Sequence, residues 1–357
     1  MSENVGNNKK VLLGMSGGVD SSVSAVLLKN QGYDVIGVNL TLWGDDKENN
    51  KNACEDAKLI CDQIGIPFYS YEYKEEFKNK VINDFISCYS SCKTPNPCIE
   101  CNKYLKFGAM FDLAEKHGAK YLATGHYAKT EYSEEYKRWV LKKSNAGRKD
   151  QSYVLWSIPK EKLEYIIFPL EGFKEKDEIR KIASDNNLNV ANKPDSEDIC
   201  FIPDGDYKRF LEENSNIRPK KGKIVHVSGK VLGMHTGLYN YTIGQRKGLG
   251  ISYSEPLFVV GFNSDKNEVI VGEHKYLFKK EILVTDINLL LIDDLDREMR
   301  VSVKTRYSAK QDMATIKKES KDIIKVIFDE EQRAVTPGQS AVFYIGDIVL
   351  GGGKIIN

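Results

Sequence analysis

Seven cysteines stand at positions 54, 61, 88, 92, 98, 101 and 200 of this 357-residue chain, and their spacing decides what chemistry they can do. Cys98 and Cys101 form a C-x-x-C pair inside TPNPCIECN (94–102), behind Pro95 and Pro97, which stiffen the approach. Such a pair can hold zinc, shuttle electrons, ligate an iron–sulfur cluster or handle sulfur itself. A structural zinc site wants four Cys or His ligands, commonly as two close pairs. Cys88 and Cys92 offer a second pair at i and i+4, but the overall spacing is irregular. A thioredoxin-like redox pair opens a helix directly after a strand, whereas two prolines precede this one. Cys200 supplies a distant partner, in the polar, Pro-bounded stretch KPDSEDICFIP (193–203). A lone cysteine is ordinarily a small buried hydrophobe; the neighbouring Asp195 and Asp198 argue against that here. Cys54, Cys61, Cys88 and Cys92 read as packing thiols.

A second chemical signal lies near the start. GMSGGVDSS (14–22) sits between an apolar run and an amphipathic one, a context in which backbone N–H groups and a helix N-terminus hold phosphate oxygens. Gly17 and Gly18 let the chain approach a ligand closely, Ser16 and Ser21 offer hydroxyls, and Asp20 is placed to position a metal ion such as Mg2+. The run is neither G-x-G-x-x-G nor a P-loop, since no GK in the chain is followed by Ser or Thr.

The elements that must position these residues follow from periodicity. VLLGM (11–15), DVIGVNL (34–40), PFYSYEY and KYLATGHYA read as strands. Residues 21–32, closed by Gly32, a stretch ending near Gly65, residues 74–92 and the stretch from the TPNPC loop to Gly118 read as helices. Such alternation predicts an α/β fold with a Rossmann-like parallel sheet. FKEKDEIRKIASDNN (173–187) predicts one more helix. Beyond about residue 220 the pattern turns to short β-like runs between turn residues, predicting a small, mainly β central domain followed by a C-terminal β-barrel. The expected boundaries are 1–207, 208–275 and 276–357. No internal repeat is present.

Composition narrows the classes. Hydrophobic residues make up 41% and charged residues 29%, with a formal net charge of +1. That is the profile of a globular protein, and any nucleic-acid partner must meet a local basic surface. No segment approaches the ~20 apolar residues of a membrane-spanning helix, and no basic-plus-apolar leader stands at the N-terminus. The expectation is a cytoplasmic protein, whose cysteines act as thiols, ligands or catalysts before they act as staples.

The glycine run resembles the pyrophosphate loop of the N-type ATP pyrophosphatases, which split ATP to AMP and pyrophosphate. Over nearly its whole length the chain is further similar to the tRNA-uridine 2-sulfurtransferase (2-thiouridylase) family. GMSGGVDSS, TPNPCIECNKYLKFG, ATGHYAK, KDQSYVLW, KPDSEDICFIP, HTGLYNYTIGQRKGLGI and TPGQSAVFY carry that resemblance, in this order. It implies ATP binding by Gly14, Met15, Ser16, Gly17, Gly18, Val19, Asp20 and Ser21, by Leu40 and by Gly125. It implies adenylation of the C2 oxygen of the wobble uridine in tRNAs for Lys, Glu and Gln. Cys200 would carry a persulfide delivered by a cysteine desulfurase or sulfur-carrier protein, and Cys101 would attack it. Thiolate character is needed for that exchange, and Lys103 stands nearby in sequence to favour it.

For the tRNA, the resemblance implies Asn96, Pro97 and Cys98 around the target base, Lys149, Asp150 and Gln151, and His126, Arg306, Tyr307 and Gln339. Arg306–Tyr307 is chemically apt as a phosphate fork beside a stacking ring, although alone such a pair is ordinarily a strand surface, and His126 alone is ordinarily a hydrogen-bonded structural residue. GQRKGLG (244–250) is either a basic RNA-touching turn or a solvated hairpin. One departure stands out: many members of the family have an aspartate where this chain has Cys98. Related pyrophosphate-loop thiolases hold a 4Fe–4S cluster with a C-x-x-C and one distant cysteine, so Cys98, Cys101 and Cys200 could ligate a cluster instead of relaying a persulfide. Two rival readings are an AMP-forming amide ligase, which leaves Cys101 and Cys200 idle, and a non-catalytic tRNA-binding or metal-sensing protein, which leaves the ATP loop idle.

Overall fold

The computed structural model describes residues 9–44, 49–191, 193 and 199–357. The chain falls into two compact units: Met1–Val81 with Cys98–Glu197 and Asp347–Leu350, and Ile82–Pro97 with Asp198–Gly346 and Gly351–Asn357.

The first unit is built on five short strands, β1 (Lys10–Gly14), β2 (Asp34–Thr41), β3 (Phe68–Glu72), β4 (Tyr121–Ala123) and β7 (Ile166–Ile167), in the order β3-β2-β1-β4-β7. All are parallel, with Leu12 opposite both Ile36 and Leu122. Helices α1 (Val19–Asn30) and α2 (Asn49–Ile64) connect the first three strands. A sheet covered on both faces needs continuous apolar strands, and Val11, Leu12 and Leu13 are all fully buried. Each such side chain contributes about 1.5–3 kcal/mol through burial. Val23, Val26 and Leu28 of α1 join Val11 and Leu13 in one core with Ala57, Ile60 and Cys61 of α2. Gly32 and Gly65, which follow these helices, take φ +80° and +72°, a left-handed stop that needs no side chain.

Three local features differ from the sequence-based expectation. The helix expected over 74–92 has a π-helical turn, Lys78–Ile82, between Lys74–Phe77 and Asn83–Ser90. The strand expected through KYLATGHYA breaks after Ala123 and resumes at Ala128, because Gly125 turns the chain against α1. From there β5 (Ala128–Ser133) and β6 (Arg138–Lys143) form an antiparallel hairpin that the sequence reading passed over. The helix predicted over 173–187 is Lys176–Asp185, opened by a capping box between Glu175 and Glu178.

In the second unit, β8 (Gly222–His226), β9 (Val231–His235), β10 (Phe258–Asn263) and β11 (Glu268–Gly272) form a mixed sheet in the order β10-β11-β8-β9. Its core is Ile224, Val259, Val269 and Val271 with Leu249 and Leu257. The strands β12 (Phe278–Leu289), β13 (Met299–Lys304), β14 (Asp312–Ser320), β15 (Ile323–Arg333), β16 (Ser340–Ile345) and β17 (Ile348–Ile355) follow. Their order, β12-β15-β14-β13-β16-β17, closes on itself through β12–β17. Period-2 alternation sends Val301, Val303, Ala314, Ile316, Ile324, Val326 and Phe328 into the barrel, all at most 4% exposed. Closure demands a bare backbone: a Cβ on Gly353 would lie 2.5 Å from the Thr285 carbonyl oxygen. Among the described residues no helix is long and apolar enough to cross a membrane.

Candidate active site

The glycine loop leaves the carboxyl end of β1 and enters α1, at the edge where parallel sheets bind ligands. The loop is pinned from several sides. Met15 N–H donates to Val38 O (2.7 Å), and Asn39 Nδ2 donates to Met15 O (2.8 Å). Ser16 N–H donates to Ser21 Oγ, and the two serine hydroxyls lie 3.2 Å apart. Ser21 and Ser22 hydroxyls both donate to Gly18 O. Gly17 has φ +70° and sits so near α2 that a Cβ would lie 2.3 Å from Ala53 O. A Cβ on Gly125 would come within 2.9 Å of Ser21 N. Both glycines are therefore fixed by close backbone approach. Leu40, half-buried near the end of β2, lies on the same sheet edge.

Two lysines that the sequence reading did not single out grip this loop. Lys176 Nζ donates to both carboxylate oxygens of Asp20 at 2.7 Å, and Tyr127 OH donates to Asp20 Oδ1 at 2.7 Å. Asp20, expected to help place a metal ion, is thus engaged by a cation. A Mg2+ ion at this carboxylate would share it with or displace Lys176, so Asp20 fits a metal only with that rearrangement. Lys193 Nζ donates to Gly17 O (3.0 Å) and to Asp56 (2.8 Å). Of the two, only Lys193 lies in a motif, KPDSEDICFIP.

Cys98 and Cys101 lie on the helix Pro97–Cys101, which continues through π-helical Asn102–Ala109 into Met110–Lys116. The proline-rich stretch expected to be loop gives way to helix at Pro97, where a missing N–H costs nothing. Cys98 is exposed and Cys101 is 7% exposed. No third Cys, His, Asp or Glu is gathered with this pair as a ligand set among the described residues. Asn102, beside Cys101, donates through Nδ2 to Val154 O (2.9 Å) while its buried Oδ1 has no hydrogen-bond partner. Lys103, expected beside the thiol, is exposed and reaches 5.1 Å from the Tyr104 ring centroid. Cys61 is inert by comparison: burial first, then the charge of Asp62, pushes its thiol up to about 12.

Cys200 is exposed in the second unit, within a turn closed by Ile202 N–H to Ile199 O (2.8 Å). Its neighbour Phe201 is 3% exposed and packs edge-on against Phe85 and tilted against Phe210, at 5.3 and 5.1 Å between centroids. The buried ring anchors the backbone beside the exposed Cys200. Asp195 and Asp198 lie outside the described residues.

The residues expected to meet tRNA divide into exposed groups and groups spent on the fold. Lys149 and Tyr307 are exposed, and Lys304 Nζ reaches 5.2 Å from the Tyr307 ring. Asp150 is buried, accepting from Ser144 N–H and Ser152 Oγ. Gln151 exchanges hydrogen bonds with the Tyr127 backbone. His126 is buried, shares a 2.8 Å hydrogen bond between Nδ1 and Thr124 Oγ1, and lies between Phe107 and Phe168. Burial first, then the charge of Lys106, holds it neutral by lowering its pKa well below the usual imidazole value. Arg306 donates to Ala334 O and Thr336 Oγ1. Gln339 Nε2 donates to Thr94 O and Pro95 O, both at 3.0 Å. Those carbonyls directly precede half-buried Asn96 and buried Pro97. In the central sheet region Arg246 and Lys247 of GQRKGLG are exposed, and Gln245 is folded back onto Thr242 N–H and Lys247 O.

Comparison with known proteins bears on this geometry. The tRNA methyl transferase HUP domain family matches residues 9–204, the tRNA methyl transferase PRC-barrel domain family residues 208–273, and the Aminomethyltransferase beta-barrel domain family residues 279–355. The tRNA-specific 2-thiouridylase MnmA of Clostridioides difficile is 50% identical over 355 residues, spanning 98% of each chain. MnmA 1 of Thermoanaerobacter sp. strain X514 is 48% identical over 357 residues, again 98% of each. The Acetivibrio thermocellus MnmA is 45% identical over 358 residues, covering 98% of this chain and 99% of that one. Such identity over nearly the whole of each chain means that the chain belongs to the tRNA-specific 2-thiouridylase family.

Proposed function

We propose that this chain is a tRNA-uridine 2-sulfurtransferase that uses ATP to replace the C2 oxygen of the wobble uridine of tRNAs for Lys, Glu and Gln with sulfur. The observation that carries this reading is the near full-length identity to 2-thiouridylases, on a chain whose pyrophosphate loop is complete and preformed. In this reading Gly14–Ser21, Leu40 and Gly125 hold ATP so that the uridine oxygen attacks its α-phosphorus. A uracil carbonyl oxygen is a poor leaving group and AMP a good one. The target base leaves its stack to reach the loops, with Asn96, Pro97 and Cys98 around it. Lys149–Gln151, His126, Arg306, Tyr307 and Gln339 serve the tRNA, the buried members by shaping the surface that the exposed ones present.

Sulfur arrives from a cysteine desulfurase or carrier as a persulfide on Cys200, whose exposure supports external loading. Cys101 as thiolate attacks the Cys200 sulfur, forming a disulfide and releasing hydrosulfide. The hydrosulfide attacks C2 and expels AMP. An external thiol then returns two electrons to the disulfide. The opposite exposure of Cys98 and Cys101 supports a relay over a cluster, which needs all three thiolates facing one cofactor.

The test is nucleoside mass spectrometry of unmodified tRNA incubated with ATP, a persulfide donor and protein purified without oxygen. Wild type is expected to form 2-thiouridine and release AMP, and Cys101→Ser and Cys200→Ser to form none while still releasing pyrophosphate. Four irons per chain with a broad band near ~400 nm would replace the relay by the cluster. AMP release driven by a small carboxylate without tRNA would overturn the reading in favour of an amide ligase.

A further inference from the structure

The segment that precedes the cysteine helix is held by the barrel, not by its own sequence neighbours. Thr94 N–H donates to Pro337 O at 2.9 Å, and the Gln339 amide donates to the Thr94 and Pro95 carbonyls. Three hydrogen bonds therefore join 94–95 to the turn Thr336–Gln339. The approach is tight: Gly338 has φ +91°, and a Cβ there would lie 2.8 Å from Thr94 O and 3.0 Å from Lys93 Cβ. Only glycine satisfies both demands.

The turn is itself braced. Gly338 N–H donates to Ile355 O (2.9 Å) and Ile355 N–H to Gln339 O (2.8 Å), tying it to β17. On its other side Arg306 donates to Ala334 O and to Thr336 Oγ1, and Thr336 Oγ1 donates on to Ala334 O at 3.0 Å. Ala334 is held at φ 53°, a conformation that a non-glycine residue keeps only where its surroundings enforce it.

We infer that the barrel turn Thr336–Gln339 is the positioning element of the target-base loop, with Gln339 and Gly338 as positioning residues for thiolation. The inference rests on the function proposed above. Asn96 and Pro97 follow the clamped carbonyls directly, and Pro95 and Pro97 have few backbone states, so an error at Thr94 is passed along instead of absorbed. Gln339 thus acts on the uridine through Thr94 and Pro95. A carboxylate at 339 cannot donate to either carbonyl, and a methyl at 338 separates the two segments while leaving the amide in place.

The experiment compares full-length wild type with Gln339→Ala, Gln339→Glu and Gly338→Ala in two measurements. The first is amide hydrogen exchange resolved at Thr94, whose N–H donates to the turn. All three variants are expected to exchange at least about tenfold faster there, with the strand amides of the barrel unchanged. The second separates tRNA affinity from single-turnover thiolation at saturating tRNA. The rate is expected to fall about ten- to a hundredfold in all three, as for a misplaced reacting group, while Kd moves by less than about twofold in Gly338→Ala, whose residue is not among those assigned to the tRNA. Gln339→Ala combined with Gly338→Ala is expected to be no worse than either alone, since both open one clamp. The inference is overturned if Gln339→Ala weakens tRNA binding at an unchanged saturated rate while Gly338→Ala matches wild type, or if Thr94 exchange is unaltered in the Gln339 variants. Should Gly338→Ala fail to fold, the two Gln339 variants decide. A wild type that makes no 2-thiouridine would remove the functional reading, and the exchange measurement would still decide the clamp.

Discussion

Asp20 shows how far one side chain's environment departs from its motif. Within S-G-G-x-D-S it reads as a metal or phosphate helper, yet its carboxylate is taken by Lys176 from 156 residues away and by Tyr127. The cysteines repeat the lesson. Seven identical thiols in the sequence become three classes in space: Cys98 and Cys200 exposed, Cys101 and Cys61 buried, and the others between. Alkylation of the native protein followed by peptide mass spectrometry should therefore label Cys98 and Cys200 first. Cys101 should follow at least about tenfold later and Cys61 last, because only the thiolate reacts and Cys61 is both buried and raised to about 12. Early labelling of Cys61 would contradict the packing described for α2.

At the scale of elements, Phe201 is what gives Cys200 a fixed address. Phe201→Ala removes contacts to Phe85 and Phe210 and should cost about 3–5 kcal/mol in denaturant unfolding. An unchanged midpoint would mean that the aromatic cluster does not hold that turn. The parallel sheet, its helices and the later β-region were legible because period-2 and period-3.6 patterns are local. So were the glycine loop and the cysteine pair, whose chemistry is set by residue type and spacing. The hairpin β5–β6 was missed because its turn is reached through Lys137 at φ 51° and not through a glycine or proline. The π-helical turns at Lys78–Ile82 and Asn102–Ala109 have no sequence signature at all. Nor could spacing reveal Lys176, or that Gln151 and Gln339 spend side-chain hydrogen bonds on backbone groups and Asp150 on Ser144 N–H and the Ser152 hydroxyl. Such partners are brought together only by the tertiary fold.

At the scale of the molecule, acid should loosen the fold through its histidines. Burial lowers His126 and His235, and burial with the charges of Lys116 and Lys10 lowers His117. Below the unfolded value near 6.5 the unfolded chain binds protons that the native one refuses, so stability is lost as pH falls through that value. Tm should drop between about pH 7.5 and 5, and His126→Asn should flatten the slope; a Tm rising into acid would refute the assignment. The path of the chain has a consequence of another kind. It passes from one compact unit to the other at 81/82, 97/98, 197/198, 346/347 and 350/351, so no single cut frees either unit. A gene fragment ending at 207 would carry Thr94 and Pro95 without the turn that clamps them, and a transplanted barrel would lack the segment it clasps. The unit that carries the glycine loop and the unit that closes the barrel therefore cannot be traded as cassettes, because an exchange of either would have to rejoin the chain at all five crossings.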